Sequence, residues 1–237
     1  MQLGTVAHLT ISVPVIAPSL EFYKLLGFRV IAKSPEPPYS WATLTDGIIV
    51  INLNQDQERY FGITYFSPNV DERVRFFETK GVTFAHKEFN SQGKIIQAII
   101  WGMNQVGIGL VERDPATVFV PSGSSIALCG RFGELSLQTT NLFISIQTWM
   151  QLGFRIVLQE PTGVLMTDDL LLIGIHQTQN WNIPSLIYFT EPSGEEIRSL
   201  VDLGLPANLY NDSATGQFNM ATAVAPDGLP FFFLKKV

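Results

Sequence analysis

The side chains of this sequence that could do chemistry are few and scattered. The histidines are His8, His86 and His176, and Cys129 is the single cysteine. Imidazole and carboxylate groups hold a divalent cation when about three of them converge, with positions left open for a substrate. The same groups can also hydrogen-bond a small molecule without a metal. Trp41, Trp101, Trp149 and Trp181 offer flat faces for stacking, although Trp149 sits in a helical stretch and reads as core. The sequence contains no GxSxG elbow, phosphate-binding glycine loop, HExxH helix or paired-cysteine motif. Coordination and binding are what remain.

The elements that must position these groups come from an internal repeat. EFYKLLGFRV around Gly27 returns as QTWMQLGFRI around Gly153, and weaker copies surround Gly81 (RFFETKGVTF) and Gly204 (RSLVDLGLPA). Helix-spaced apolar residues ending in glycine mark a helix whose next position must be left-handed. Each copy follows an alternating, strand-like run: HLTISV, GITYFS, ELSLQT and SLIYFT. After each helix come about three short strands, with turns such as Asp46-Gly47 and Asp227-Gly228. The second and fourth copies align without a gap, so that Gly81 falls on Gly204, Tyr65-Phe66 on Tyr188-Phe189, and Asn104 on Asp227. In the first and third, Leu44-Thr45-Asp46 falls near Met166-Thr167-Asp168.

The chain therefore divides into two halves of two units each. The first half covers residues 1–114, with units 1–58 and 59–114. The second covers 132–237, with units 132–180 and 181–237. Residues 115–131, rich in proline, glycine and serine, read as a linker.

Strand parity separates two faces. Leu9, Ile11 and Val13 share one face of the first strand, and His8, Thr10 and Ser12 the other. Leu135 and Leu137 stand likewise against Glu134, Ser136 and Gln138. The apolar face packs under a helix, and the polar face is expected to line a small-molecule cavity.

Composition bounds the setting. An apolar fraction of 46% with 15% charged residues fits packed cores. A net charge of −6 without basic runs argues against nucleic acid. No signal-peptide pattern opens the chain, and no apolar run reaches the roughly 18 residues of a membrane span. A lone cysteine fits a reducing compartment. The expectation is a cytoplasmic protein without membrane or nucleic-acid partners; homodimerisation is left open.

A βαβββ unit occurring in pairs, with AHLTISV, SLEFYKLLGFRV and a closing PDG turn, resembles the vicinal-oxygen-chelate superfamily of glyoxalases, bleomycin-resistance proteins and extradiol dioxygenases. The resemblance covers nearly the whole chain. It implies an α+β fold: four βαβββ units form two glyoxalase-like domains, with curled mixed sheets and helices outside. It also implies a cup in which a divalent metal polarises two neighbouring oxygens of a substrate. Members isomerise, cleave aromatic rings, add thiols to epoxides or sequester a drug, so the likeness speaks for fold more than reaction.

Transferred residue by residue, the family's metal positions are mostly lost. The first-strand ligand position is His8, which matches. Its counterpart in the second unit is Gly62, and the carboxylate position is Gly109. Glu112 is near but shares a face with Ile108 and Leu110, and sliding the strand to recruit it would expose the wrong face. In the second half the positions are Glu134, Ser185 and Phe232, the last within Phe231-Phe232-Phe233. His176 is a stray donor, and His8, Glu134 and His176 meet only if the halves pair crosswise. His86 reads as a solvated loop residue. Gly62, Gly107 and Gly109 bare one wall, either enlarging a pocket or admitting another backbone.

Three functions remain open. The first is a binding protein with a degenerate metal site, holding a small organic ligand through His8, Thr10, Trp41, Thr64, Trp101 and Glu134, without a cofactor. The second is a metal-dependent lyase, isomerase or dioxygenase built on His8 with Glu112, Glu134 or His176. The third is an interaction module whose cups are filled by side chains such as the three phenylalanines.

Overall fold

The computed structural model describes residues 1–36, 40–58, 60–178 and 183–236, the Met103 side chain excepted. Trp181 and the unit boundaries at residues 59 and 180–181 lie outside them. The first repeat is β1 (Val6–Val13), α1 (Ile16–Leu25), β2 (Arg29–Lys33), β3 (Trp41–Thr45) and β4 (Val50–Gln55). The second is β5 (Phe61–Ser67), α2 (Val70–Thr79), β6 (His86–Phe89), β7 (Ile95–Met103) and β8 (Val106–Glu112). The third is β9 (Arg131–Thr139), α3 (Leu142–Gln151), β10 (Arg155–Glu160), β11 (Gly163–Thr167) and β12 (Leu172–Gln177). The fourth is β13 (Ser185–Thr190), α4 (Glu195–Asp202), β14 (Ala207–Asn211), β15 (Phe218–Val224) and β16 (Pro230–Lys235).

The α+β class and the four βαβββ repeats stand as the sequence reads. The glycines after the helices take the left-handed conformation that stops a helix: φ is +90° at Gly27, +85° at Gly81, +93° at Gly153 and +104° at Gly204. Helix α2 shows the amphipathic logic, burying Val70, Val74 and Phe77 at helical spacing. Strand order is β2-β3-β4-β1-β5-β8-β7-β6 in one sheet and β10-β11-β12-β9-β13-β16-β15-β14 in the other. The ladders are mixed, parallel for β5 with β8 and for β13 with β16, and antiparallel along the hairpins. Among the described residues no helix is long and apolar enough to cross a membrane. His86 corrects its expectation. It opens strand β6 opposite Ile99 instead of lying in a loop, although it is exposed.

Contacts divide the chain differently from the ladders. Unit one is Met1–Thr10, Tyr60–Val120 and Ser136–Pro184, and unit two is Ile11–Arg59, Pro121–Leu135 and Ser185–Val237. Unit one thus unites the second and third repeats, and unit two the first and fourth.

Each unit is braced by buried aromatic side chains that reach the closing turn of the partner repeat. In unit one, the Tyr65 hydroxyl donates to Asp168 Oδ2 at 2.7 Å, while Asp168 Oδ1 accepts from the Leu170 and Leu171 amides. In the reverse direction, Trp149 Nε1 on α3 donates to Asn104 Oδ1 at 2.9 Å. Asn104 Nδ2 donates to the Gln138 carbonyl and Ser145 Oγ. Trp149 is fully buried, as a core residue should be.

In unit two, the Tyr188 hydroxyl donates to Asp46 Oδ2 at 2.7 Å, and Asp46 Oδ1 accepts from the Ile48 and Ile49 amides. Tyr23 on α1 lies beside Asp227 in the reciprocal place and is electrostatically coupled to it, but its hydroxyl and Asp227 Oδ2 stand outside ordinary hydrogen-bond geometry. Tyr188 stacks on Phe231, which stacks on Phe233, and Phe22 and Tyr23 meet Phe231 edge-on. Phe231 and Phe233 therefore build the core of unit two. Of the three phenylalanines expected to fill a cup, only Phe232 faces the other way.

The segment read as a linker is a bonded strap. Its Gly123 and Ile126 amides donate to the carbonyls of Gly47 and Asp46, and the Leu128 amide to that of Leu26. It runs so close to Gly47 (φ +90°) that a Cβ there would stand 1.9 Å from the Ser124 carbonyl oxygen. Only glycine fits both demands.

Removing the hydroxyl of Tyr65 or Tyr188 leaves a buried carboxylate oxygen without its donor. Tyr65→Phe and Tyr188→Phe should each cost about 1–3 kcal/mol. Tyr23→Phe, which deletes a buried hydroxyl that faces Asp227 without ordinary hydrogen-bond geometry, should cost less than either. Urea titrations check this; equal losses at all three positions would contradict the bonding scheme.

Burial pushes the carboxyls of Asp46, Asp168 and Asp227 above the usual range, against the pull of their amide and hydroxyl donors. The folded chain then holds these protons more tightly than the unfolded one. The resulting stabilisation is complete below the unfolded value of about 3.9 and is lost as pH rises through the folded value. Asp168→Asn cannot ionise, so its stability relative to the parent should rise as pH climbs above about 4. A difference independent of pH in paired urea titrations would refute the raised carboxyl.

Candidate functional site

The site is built on the face of the first sheet turned away from the helices. In unit one this face carries His8 and Thr10 of β1, Gly62, Thr64 and Phe66 of β5, Gly107 and Gly109 of β8, and Ile99 and Trp101 of β7. The registers set them side by side: Gly62 opposes Gly107, Thr64 opposes Gly109, and Gly109 also opposes Ile99. Thr10 Oγ1 and Thr64 Oγ1 hydrogen-bond at 2.7 Å. His8 and Thr10 are themselves buried, at 4% and 6% exposure, so they form a floor instead of an open lining.

The three glycines do three different things. A Cβ on Gly62 would stand 2.8 Å from the Gly107 carbonyl oxygen, so this position serves close backbone approach. A Cβ on Gly107 would stand 2.7 Å from the Trp101 ring, which lies across the bare backbone with 54% of the residue exposed. At Gly109 a Cβ would have Thr64 Oγ1 at 3.8 Å as its only near neighbour. Gly109 is the one that opens space.

His8 is committed to a structural bond. Its Nε2 lies 2.8 Å from the Phe119 carbonyl oxygen. A carbonyl can only accept, so Nε2 carries the proton and donates. The ring stands edge-on to Phe66 at 5.1 Å, and the Arg113 guanidinium lies 5.7 Å over that same Phe66 ring. The Phe119 partner could not be read from the sequence, because a backbone carbonyl leaves no residue-type signature. Phe66 was visible only as the repeat equivalent of Phe189.

The other metal candidates stand on different elements. Glu112 stands on the helix side of β8, where Oε1 meets Lys94 Nζ at 3.1 Å and Oε2 is buried without a hydrogen bond. His176 lies on β12 of the second sheet, opposite Gly163. Glu134, half-buried on β9, belongs to unit two. Among the described residues no three histidine, cysteine, aspartate or glutamate side chains form a group able to hold a metal ion. With glycine at positions 62 and 109, the described residues at these positions offer a divalent cation only His8, whose Nε2 already donates to Phe119.

Unit two has a polar wall of its own on the first sheet. Trp41 is exposed opposite Asn54, Thr43 Oγ1 donates to Asn52 Oδ1 at 3.0 Å, and Ser12 Oγ is buried without a hydrogen-bond partner. On the second sheet the same unit is apolar: Ile187 opposes Phe232 and Phe189 opposes Leu234. The Phe189 ring covers the backbone of Gly133 so closely that a Cβ there would stand 2.5 Å from it.

No protein-family model and no curated protein sequence matches the chain. Solved structures do. A catechol 2,3-dioxygenase superposes with a TM-score of 0.61 at 13% identity, over 100% of this chain and 89% of that one. The homoprotocatechuate 2,3-dioxygenase of Arthrobacter globiformis gives 0.63 at 13%, over 99% and 80%. An extradiol ring-cleaving dioxygenase from B. fuscum gives 0.64 at 12%, over 99% and 72%. The chain thus has the vicinal-oxygen-chelate fold of these extradiol dioxygenases. At such identities the likeness establishes the fold and leaves the activity to the residues.

The glycine assignments predict a graded series. Gly62→Ala, which forces backbone apart, should cost about 1–3 kcal/mol. Gly109→Ala should be nearly neutral, and Gly107→Ala should displace the Trp101 ring at little cost in stability. Denaturant melts with indole fluorescence test the order; a costly Gly109→Ala would mean that this space is already filled.

Proposed function

We propose that the chain is a metal-independent binding protein for a small organic molecule, held on the helix-distal face of the first sheet in unit one. The observation that carries this reading is the space beside Gly109, bounded by Thr64 and flanked by the exposed Trp101 ring seated on Gly107. Trp101 would stack on a flat ligand, and the Thr10–Thr64 hydroxyl pair would supply hydrogen bonds. His8 would fix the floor through Phe119 instead of coordinating an ion. Trp41 and Glu134, in unit two, fall outside this ligand set. No cofactor belongs to this reading. A cytoplasmic setting is part of the same proposal and rests on a single, buried, unbridged Cys129.

The enzyme alternative, built on His8 with Glu112, Glu134 or His176, loses support because His8 Nε2 donates to Phe119 and Glu112 pairs with Lys94. The interaction-module alternative has one observation in its favour, the apolar pairing of Ile187 with Phe232 and of Phe189 with Leu234 on the second sheet in unit two. That bears on the second sheet alone.

A thermal-shift screen of planar heteroaromatic compounds with chelator present tests the proposal. A ligand at about 100 times its Kd should stabilise the parent by roughly 2.7 kcal/mol. Trp101→Ala and Gly109→Leu should abolish the shift. Stabilisation that disappears with chelator, or that survives both substitutions, would defeat the reading.

A further inference from the structure

The consecutive elements α3 and β10 of unit one expose an apolar surface that the fold does not require. Phe143, Ile144 and Met150 of α3, with Ile156, Val157 and Leu158 of β10, are 40% to 68% exposed. Every residue of β10 is exposed, and α3 carries no charge.

The internal repeat supplies the control. Helix α1 occupies the equivalent position in the first repeat, and its exposed residues at the places of Phe143, Ile144, Gln147 and Met150 are Ala17, Pro18, Glu21 and Lys24. Strand β2 has exposed Ala32 and Lys33 where β10 has Leu158 and Gln159. Val30 and Ile31 of β2, half-buried, match Ile156 and Val157, so the contrast lies in the helix and at Leu158, where α1 and β2 carry small or charged residues and α3 and β10 mostly large apolar ones.

We propose that this α3–β10 face is a two-fold interface between copies of the chain. Charge selects that occupant. The only charged residues of β10 are at its two ends, Arg155 and Glu160, and Glu160 has no ion-pair partner among the described residues. A two-fold axis near Val157 and Leu158 lays one strand antiparallel to its copy and sets Arg155 of each against Glu160 of the other, the self-complementarity an isologous contact needs. Arg155 meets Asp169 through one nitrogen and retains further donors for this second carboxylate.

Area agrees. The six apolar side chains offer on the order of 500 Å², at the upper range for a monomer's largest patch. With Gln147, Gln151 and Gln159 around them, the face approaches the roughly 800 Å² per partner of a standard interface. Val157 is a bulge in the pairing with β11, where Ile156 opposes Met166 and Leu158 opposes Leu165. That break disfavours continuation of the sheet across the axis, so side-chain packing joins the copies.

Sedimentation velocity of the full chain over about 1–100 µM tests this. A dimer is expected. Leu158→Lys should make the chain monomeric and still cooperatively folded, because the position is exposed, with a melting temperature that no longer depends on protein concentration; Lys24→Glu at the α1 equivalent of Met150 should leave the dimer intact. Arg155→Glu should weaken association about ten-fold, by like charge against Glu160 of the second copy. Arg155→Glu combined with Glu160→Arg should restore it. A monomeric parent, a dimer indifferent to Leu158→Lys, or a double swap that stays as weak as the single one would each overturn the proposal.

Discussion

A buried hydrogen bond from an aromatic side chain to the closing turn of another repeat organises each compact unit. The turn aspartate has two oxygens and two tasks. Oδ1 of Asp168 satisfies the Leu170 and Leu171 amides, which shapes the turn, and Oδ2 takes the Tyr65 hydroxyl, which ties that turn to the second repeat. Asp46 does the same with Ile48, Ile49 and Tyr188 in unit two. A buried carboxylate left without these donors would be costly, so the turn and its aromatic partner must form together. The ladders follow chain order, whereas these bonds join repeat two to three and repeat one to four. Two patterns of connection are therefore superimposed on one set of repeats.

The second repeat shows how the same place tolerates different chemistry. Asn104 accepts from Trp149 Nε1 through Oδ1 and donates through Nδ2 to the Gln138 carbonyl and Ser145 Oγ. An aspartate could not make those last two donations. The turn has tightened as well, with Asn104 and Gln105 both left-handed at φ +50° and +64°, as a two-residue hairpin requires. The shortened turn belongs with the change at its end: Gly109, on the strand that follows, occupies the place where the resemblance puts a metal carboxylate.

Much of this was legible in sequence because repeats are compared position by position. The four helix-stopping glycines, the strand starts and the helix side of Glu112 all follow from periodicity. Tyr65 with Tyr188, and Asn104 with Asp227, were already aligned as equivalents, yet nothing in spacing told which aromatic would meet which turn. That depends on packing between repeats far apart in the chain. The role of His8 was hidden for another reason, since its partner is the carbonyl of Phe119, which any residue would provide. The burial of Thr10 and Ser12 also escaped notice, because alternation separates two faces without saying whether either is open. For the glycines of β5 and β8 sequence offered two meanings, and both occur: close approach at Gly62 and open space at Gly109.

Repeats also separate what the fold demands from what a particular chain adds. Tyr188 and Tyr65 are kept at equivalent places because both must reach a turn, whereas Lys24 and Met150 are equivalent and need nothing in common beyond exposure. Divergence at such unconstrained places has no cause in stability, since exposed substitutions are usually worth less than about 0.5 kcal/mol. Divergence on the helix-distal faces has the same character. His8 and Glu134 occupy matching strand positions, and Gly109 and Phe232 matching closing-strand positions, and each pair differs in size or charge while the surrounding ladders persist. A polar, partly bare wall on the first sheet and an apolar one on the second are therefore properties of this chain's side chains. The fold shared with extradiol dioxygenases supplies only the frame on which they stand.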